Sequence, residues 1–594
     1  MRVINVNQFI ERELAMKNGD EVDRPTEVLE FRADERNTVY AILSHRWQQE
    51  VSYEEMIGLA KMERMKRDEI RNRNGYRKIL KSCQQAKDDR HKWLWADTCC
   101  IDTRSSAELS EVINSMYRWY ENSTVCYAYL HDVSHSSFPT ENNIGEYSHN
   151  GWPEWFSRGW TLQEMIAASD VQFFNKNWKF IGDKKTLAHR LARITRVPER
   201  ILTDGLSSIR PCVARIMSWA ADRTTTRDED RAYSLLGLLD VNMPMLYGEG
   251  KKAFHRLQLE IIRMSNDQSI FAWGCSRRDH RTGSILADDP SFFRDCHEME
   301  LMDHDKFIQS LKDDIPKKVL RSIEKDRFAT FSITHRGIQI WLLLRPYNDS
   351  SSVFEARLPC RLTALDPPVA INLALWRSNY YRYFTLLQDE IPTVSTLQFC
   401  QLFLTYQDAP HHDVEFEIDD SSVIENGFIY CGAFPSTPTN PLMLTSTNPL
   451  CVKVYSDSQT NCRFAMGFGQ CFGQDWVHIL YEKPSSASNR HSWRNYAEEH
   501  YRKMIATGPD HAWSTAEERF RGERCGHVYI TQIHLPRSTW TVRTSFAMWE
   551  SSRKCGVKIE VFQGRGPLNL LGKWTSFNID NVWILLCAPL CYWS

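Results

Sequence analysis

The chain has 594 residues, 42% hydrophobic and 12% aromatic, which excludes wholesale disorder and is too long for one core, so roughly two to four domains are expected. The formal charge of −2 excludes a dedicated nucleic-acid binder, which needs a basic excess or stripe. The 17 cysteines are odd in number and sit mostly inside apolar runs, as free thiols of a reducing compartment do.

In chain order, "MRVINVNQFIERELAM" breaks its apolar residues with Asn, Gln, Glu and Arg, so it has no secretory h-region. "TVYAILSHRW" (Thr38 to Trp47) predicts a buried strand ending in the polar residues Ser44, His45 and Arg46. The basic run Lys61 to Lys78 reads as a solvated helix face. "KWLWADTCCID" (Lys92 to Asp102) predicts a second strand, with Asp97 and Asp102 beyond its apolar part. Ser105-x-x-Glu108 is a capping box, and Val112, Met116 and Tyr120 form one apolar helical stripe. "TVCYAYLHDV" predicts a third strand, "PEWFSRGWTLQEMIAAS" a helix starting near Trp155, and "DVQFFNKNWKFIG" a fourth strand. Strands alternating with helices imply an α/β domain with a mostly parallel sheet, whose sites gather at the strands' carboxyl ends. Ser44, His45, Arg46, Asp97 and Asp102 fall there. Within "SRGWTLQEM", Glu164 is either a helix-surface carboxylate or a group pointing into that site.

From about 196 to 275 the pattern is helical, with Phe254, Leu257, Ile261 and Met264 as a core-facing stripe. Arg223, Arg227, Asp228, Glu229, Asp230 and Arg231 are expected to pair locally around a turn. After a connection over 276–325, residues 326–594 carry β-branched and aromatic runs separated by Gly, Pro, Ser and Asn, which implies an antiparallel β sandwich or barrel. "SDSQTNC" and "EKPSSASNRHS" read as loops. "VWILLCAPLC" (Val582 to Cys591) is about half a membrane span and contains Pro589, so it reads as a terminal strand and no membrane span is expected. The chain lacks a Walker A loop, an H-E-x-x-H helix, a G-x-S-x-G elbow and a G-x-G-x-x-G turn after a strand. No metal site is expected: Cys99/Cys100 and Cys587/Cys591 lack a second pair of ligands. The expected location is the cytoplasm.

Together "YAILSHRW", "LWADTCCID", "MYRWYENSTVCYAYL" and "WFSRGWTLQEM" resemble the fungal heterokaryon-incompatibility (HET) domain family. The tract from Asp230 to Gly274 resembles the segment that commonly follows that domain. HET domains in turn resemble Toll/interleukin-1 receptor (TIR) domains, which implies a TIR/flavodoxin-like parallel sheet over residues 1–195, a helical segment over 196–275, and the β-rich part as a less defined tail. "SRGWTLQEM" is similar to the TIR motif Ser-x-x-Trp-Cys-x-x-Glu, with Trp160 and Glu164 at the conserved types and Thr161 in place of the cysteine. The resemblance implies Glu164 as the catalytic carboxylate of NAD cleavage, with Ser44, His45, Arg46, Trp47, Asp97, Asp102 and Trp160 binding the substrate and no bound cofactor. Such a carboxylate would offset the positive charge that develops on ribose as neutral nicotinamide leaves. Trp160 or Trp47 would stack on a ring and Arg46 would hold the pyrophosphate. The family implies regulated cell death in nonself recognition, through self-association of the HET domain and an incompatibility partner protein. The alternative is a non-catalytic oligomerising scaffold with a ligand-sensing β-rich tail.

Overall fold

A computed structural model describes residues 1–18, 28–32, 37–147, 150–206, 210–274, 283–323, 325–328, 330–346, 353–376, 378–383, 396–407, 413–436, 441–445, 448, 450–457, 462–471, 474–481, 492–506, 528–535, 538–548, 554–564, 578–579 and 582–583. The first part of the chain winds in the order β1 (Arg2–Asn5), α1 (Val6–Asn18), β2 (Leu29–Phe31), β3 (Tyr40–His45), α2 (Tyr53–Gly58), α3 (Arg64–Asn72), α4 (Asn74–Asp88), β4 (Trp93–Trp95), α5 (Ser106–Glu121), β5 (Val125–Tyr129), α6 (Thr161–Ala167), β6 (Val171–Phe174) and β7 (Phe180–Asp183). Its strands form one seven-stranded sheet in the order β2-β1-β4-β3-β5-β6-β7. The four central strands are parallel, whereas β1 and β2 on one edge and β7 on the other run antiparallel to their neighbours.

β3 is buried along its whole length, as its near-continuous apolar sequence requires of a strand covered on both faces. Helix α5 begins at Ser105, whose side chain accepts from Glu108 N, and buries Val112, Met116 and Tyr120 against the sheet. The expected fourth strand is two strands, β6 and β7, folded back on each other through Asn175, whose side chain accepts from the backbone of Asn177 and Lys179. That turn chemistry, an Asx side chain satisfying backbone donors two and four residues on, ends the first strand.

The expected helix from Trp155 is also divided. A 3-10 turn covers Glu154–Ser157 and α6 starts only at Thr161. Between them the backbone pairs with residue 224: Gly159 N donates to Thr224 O at 2.9 Å and Thr224 N to Ser157 O at 2.7 Å. A helix continuous through Arg158 would have to give up that bridge. In the helical segment, Phe254, Leu257 and Ile261 are buried but Met264 is 61% exposed at the helix end.

The β-rich part is two bodies. Residues 331–404 form a six-stranded sheet in which the strand Val353–Arg357 pairs with both Ala370–Trp376 and Gly337–Pro346, closing a small barrel. Beyond 414, a five-stranded and a four-stranded sheet share one core that includes Phe416, Val542, Tyr455 and Phe468. Pairing is mainly antiparallel, with parallel exceptions at Tyr380/Leu404 and between Val414–Asp419 and Lys554–Gln563. "EKPSSASNRHS" except Ser492, the middle of "SDSQTNC", and "VWILLCAPLC" beyond Trp583 lie outside the described residues. Among the described residues no helix is long and apolar enough to cross a membrane. Among the described residues, Cys83, Cys99, Cys100, Cys126, Cys212 and Cys555 carry free thiols.

Candidate functional site

The parallel strands place the site. The chain leaves β3 for β4 on one side and then crosses to β5 on the other, so a topological switch point opens at the carboxyl end of β3, where α/β sheets gather ligands. Ser44 and His45 end β3, Asp97 follows β4, and Asp132 follows β5. Helix α6 lies across this end and brings Glu164 to it.

Ser44 Oγ donates to Glu164 Oε2, and Trp155 Nε1 donates to Ser44 Oγ at 2.8 Å. The Tyr120 hydroxyl lies beside the same carboxyl and donates to Leu43 O at 3.1 Å. Glu164 is 3% exposed. Burial, followed by the nearby Asp97 charge, pushes it up to about 8, against the Ser44 and Tyr120 hydrogen bonds that favour the ionised form. The helix-surface reading of Glu164 is therefore wrong, and so is a carboxylate open to the cleft. It is a buried carboxyl group, protonated at neutral pH.

His45 sits next to it in the strand, 6% exposed, with Nε2 3.6 Å from Glu50 and 3.8 Å from Asp97. Lys78 Nζ donates to Glu50 Oε1 at 2.6 Å and to Arg46 O at 3.0 Å. Burial opposes ionisation of Glu50, but His45 and Lys78 outweigh it and hold Glu50 at about 2. Lys78 thus corrects the reading of its run as a solvated face: α4 turns this one ammonium inward. Burial raises Asp97, whose Oδ2 accepts from Trp47 Nε1 at 2.7 Å.

The remaining expected residues separate. Arg46 is ion-paired with Glu154, which is 3.5 Å from His131. Trp47 is half exposed. Asp102 is held by Arg104 through two 2.8 Å contacts, and those hydrogen bonds lower it to about 2; it caps a loop and does not join the Ser44–Glu164 cluster. Trp160 faces Asp230 in the helical segment. The acidic and basic residues around 223–231 do not pair among themselves. Arg231 binds Asp289 at 2.6 Å, Glu229 accepts from Gly248 N and Gly250 N, and Asp230 accepts from Tyr247. Residues absent from the expectation are Tyr120, Trp155, Glu50, Lys78 and Arg223. Tyr120 and Trp155 were hidden among apolar positions, and no local pattern distinguishes an inward lysine from an outward one.

The cluster is a buried acid at the switch point of a parallel α/β sheet, ringed by a second layer of polar side chains, His45, Glu50, Asp97 and Lys78. Residues 40–154 match the family described as Heterokaryon incompatibility protein (HET), and residues 252–280 match a Domain of unknown function (DUF8212). The chain therefore carries a HET region. It is similar to Vegetative incompatibility protein HET-E-1 of Podospora anserina, 42% identical over 227 residues, which are 37% of this chain and 16% of that protein. No solved structure matches the chain.

Proposed function

We propose that this chain is an effector of fungal nonself recognition that triggers regulated cell death, and that its HET region is a latent, TIR-like NAD glycohydrolase centred on Glu164. The observation that carries this reading is a carboxyl group buried at the switch point with Ser44 and Tyr120 beside it. A buried acid costs several kcal/mol to ionise and contributes little as a neutral group, so its placement at strand ends favours a use in chemistry. The parallel order β4-β3-β5-β6 supports the reading, because it matches the order 2-1-3-4 expected of a flavodoxin-like sheet. In the reaction, water would cleave the nicotinamide–ribose bond of NAD to give nicotinamide, ADP-ribose and a proton. The role of Glu164 would be to offset the positive charge on ribose, which requires the ionised form and thus an opening of the site on clustering.

The second reading is a non-catalytic oligomerising scaffold. Its support is the closure of the same site: Glu164 is sealed and neutral, and Arg46, the expected phosphate anchor, is already paired with Glu154. One experiment separates them. Full-length protein is mixed with NAD with and without forced clustering, and nicotinamide release is followed. Clustered wild type is expected to release nicotinamide, with Glu164→Gln roughly 10²–10³ slower. Equal rates for the two proteins move the chemistry away from Glu164, and cell killing by Glu164→Gln without NAD loss establishes the scaffold.

A further inference from the structure

We propose that a second site, an arginine-walled cavity between the turn at 152–157 and the helices Ala188–Thr195 and Val213–Trp219, binds a phosphate-bearing small molecule. The cavity has a volume of about 580 Å³ and is lined by Arg193, Arg196, Arg223 and Arg294, with Trp152 and Trp219 in its wall. That size suits a mononucleotide-scale ligand.

Charge is the first argument. Among the described residues, the acid lining the cavity is Asp222, 2.6 Å from Arg294 and 3.9 Å from Arg196. Arg193 is paired with Glu141 at 2.7 Å. Four guanidinium groups against these two carboxylates leave a surplus of two positive charges, 4 − 2. Guanidinium forks match phosphate oxygens two at a time.

Unfilled donors are the second. Arg223 is 4% exposed; its Nη1 donates to Arg158 O at 2.8 Å and Thr161 Oγ1 at 3.1 Å, while its Nη2 has no hydrogen-bond partner among the described residues. Trp219 is 3% exposed and its Nε1 likewise has none. Burial pushes Arg223 down to about 9, opposed by Glu164 only where that carboxyl is ionised. Both donors belong to residues that line the cavity, and a buried, unpartnered donor is costly. Because Arg223 also holds the backbone and hydroxyl of Arg158 and Thr161, the segment that carries Glu164, occupancy here would brace the helix of the first site. This inference does not depend on NAD cleavage.

The test is calorimetric titration of the full chain with inorganic pyrophosphate and with adenosine diphosphate at matched ionic strength. Saturable binding is expected for at least one probe. Tighter binding of adenosine diphosphate assigns a nucleotide, and equal binding assigns recognition of the phosphoryl group alone. The double substitution Arg196→Gln/Arg294→Gln is expected to weaken binding at least about tenfold, whereas the control Arg336→Gln, in the barrel where Arg336 bonds Asn379 and Ser378, should leave it unchanged; the readout is binding and not NAD loss, which keeps the outcome separate from the fate of the NAD reading. Hydrogen exchange of the wild type with pyrophosphate should show protection at 193–196 and 218–223, a readout that does not need the double variant to fold. No saturable heat from either probe, unchanged affinity in the double variant, or protection confined elsewhere overturns the proposal.

Discussion

Glu164 combines a hydroxyl donor, a tryptophan-anchored serine and complete burial, and that combination makes a measurable pH signature. Its folded-state value, about 8, lies above that of an unfolded glutamate. Between roughly pH 4.5 and 8 the folded state therefore holds a proton that the unfolded chain has lost, so stability falls as pH rises through this window. Below it both states are protonated and the penalty vanishes. The full effect is about 3–5 kcal/mol. Glu164→Gln keeps the shape of the protonated acid and cannot ionise. Urea unfolding of the two proteins at pH 5, 6.5 and 8 should show the variant gaining on the wild type at each step. A difference that stays flat over this range means that Glu164 is hydrated in solution. Glutamate at this position was legible in sequence as a candidate, because it follows Trp160 at a recognisable spacing. Its protonation was not, because burial is supplied by β3 and α5, which are distant in the chain, together with the turn at Trp155.

At the scale of elements, the helical segment packs on helix α5 through a close backbone approach. A Cβ on Gly237 would lie 2.1 Å from Tyr117 Cβ on α5, and an atom next to the backbone has no rotamer that moves it away. Gly237→Ala should cost about 1–3 kcal/mol and lower the melting temperature. Gly145, around which nothing lies within 4 Å, is the control, and its alanine variant should stay within about 0.5 kcal/mol of wild type. Equal melting of both variants would mean that the Leu236–Leu239 helix does not press on α5. Periodicity located α5 correctly, since one helical stripe met one apolar sheet face. It failed at α6, because the apolar residues from Trp155 to Ile166 fit a helix, and the competing hydrogen bonds come from Thr224. It also missed β1 and the edge strand β2, both short and with non-local pairing.

For the whole molecule, the main core does not stop at the end of the helical segment. One cluster of buried residues runs from Val3 through Ile285 and Phe293 into the barrel, as far as Leu404. Trp273 Nε1 donates to Ile285 O at 2.7 Å, Gln258 exchanges hydrogen bonds with Ala287, and Arg382 reaches Trp273 O at 2.8 Å. Cutting the chain at 284 should leave that core open, and the fragment should aggregate. Residues 1–407 should stay soluble, because the sandwich beyond 414 has its own core, although Val353, Ala374 and Tyr383 would be uncovered on one side. Solubility and melting of the two truncations check this, and equal behaviour would disprove the shared core. If the sandwich restrains the effector, the 1–407 form is the more toxic in cells; toxicity at or below that of the full chain removes that hypothesis.

Sequence alone determined the alternation of strands and helices, the change to β-rich texture after the helical segment, and the resemblance that singled out Ser44 and Glu164. These are local or short-range properties, written in apolar periodicity, capping residues and spaced motifs. Tertiary structure alone decided that Glu164 is neutral, that Lys78 turns inward, that Arg46 is occupied by Glu154, and that Arg223 leaves its segment to brace the helix of Glu164. Each depends on the dielectric and the partners a side chain meets after folding, and those are set by residues tens to more than a hundred positions away.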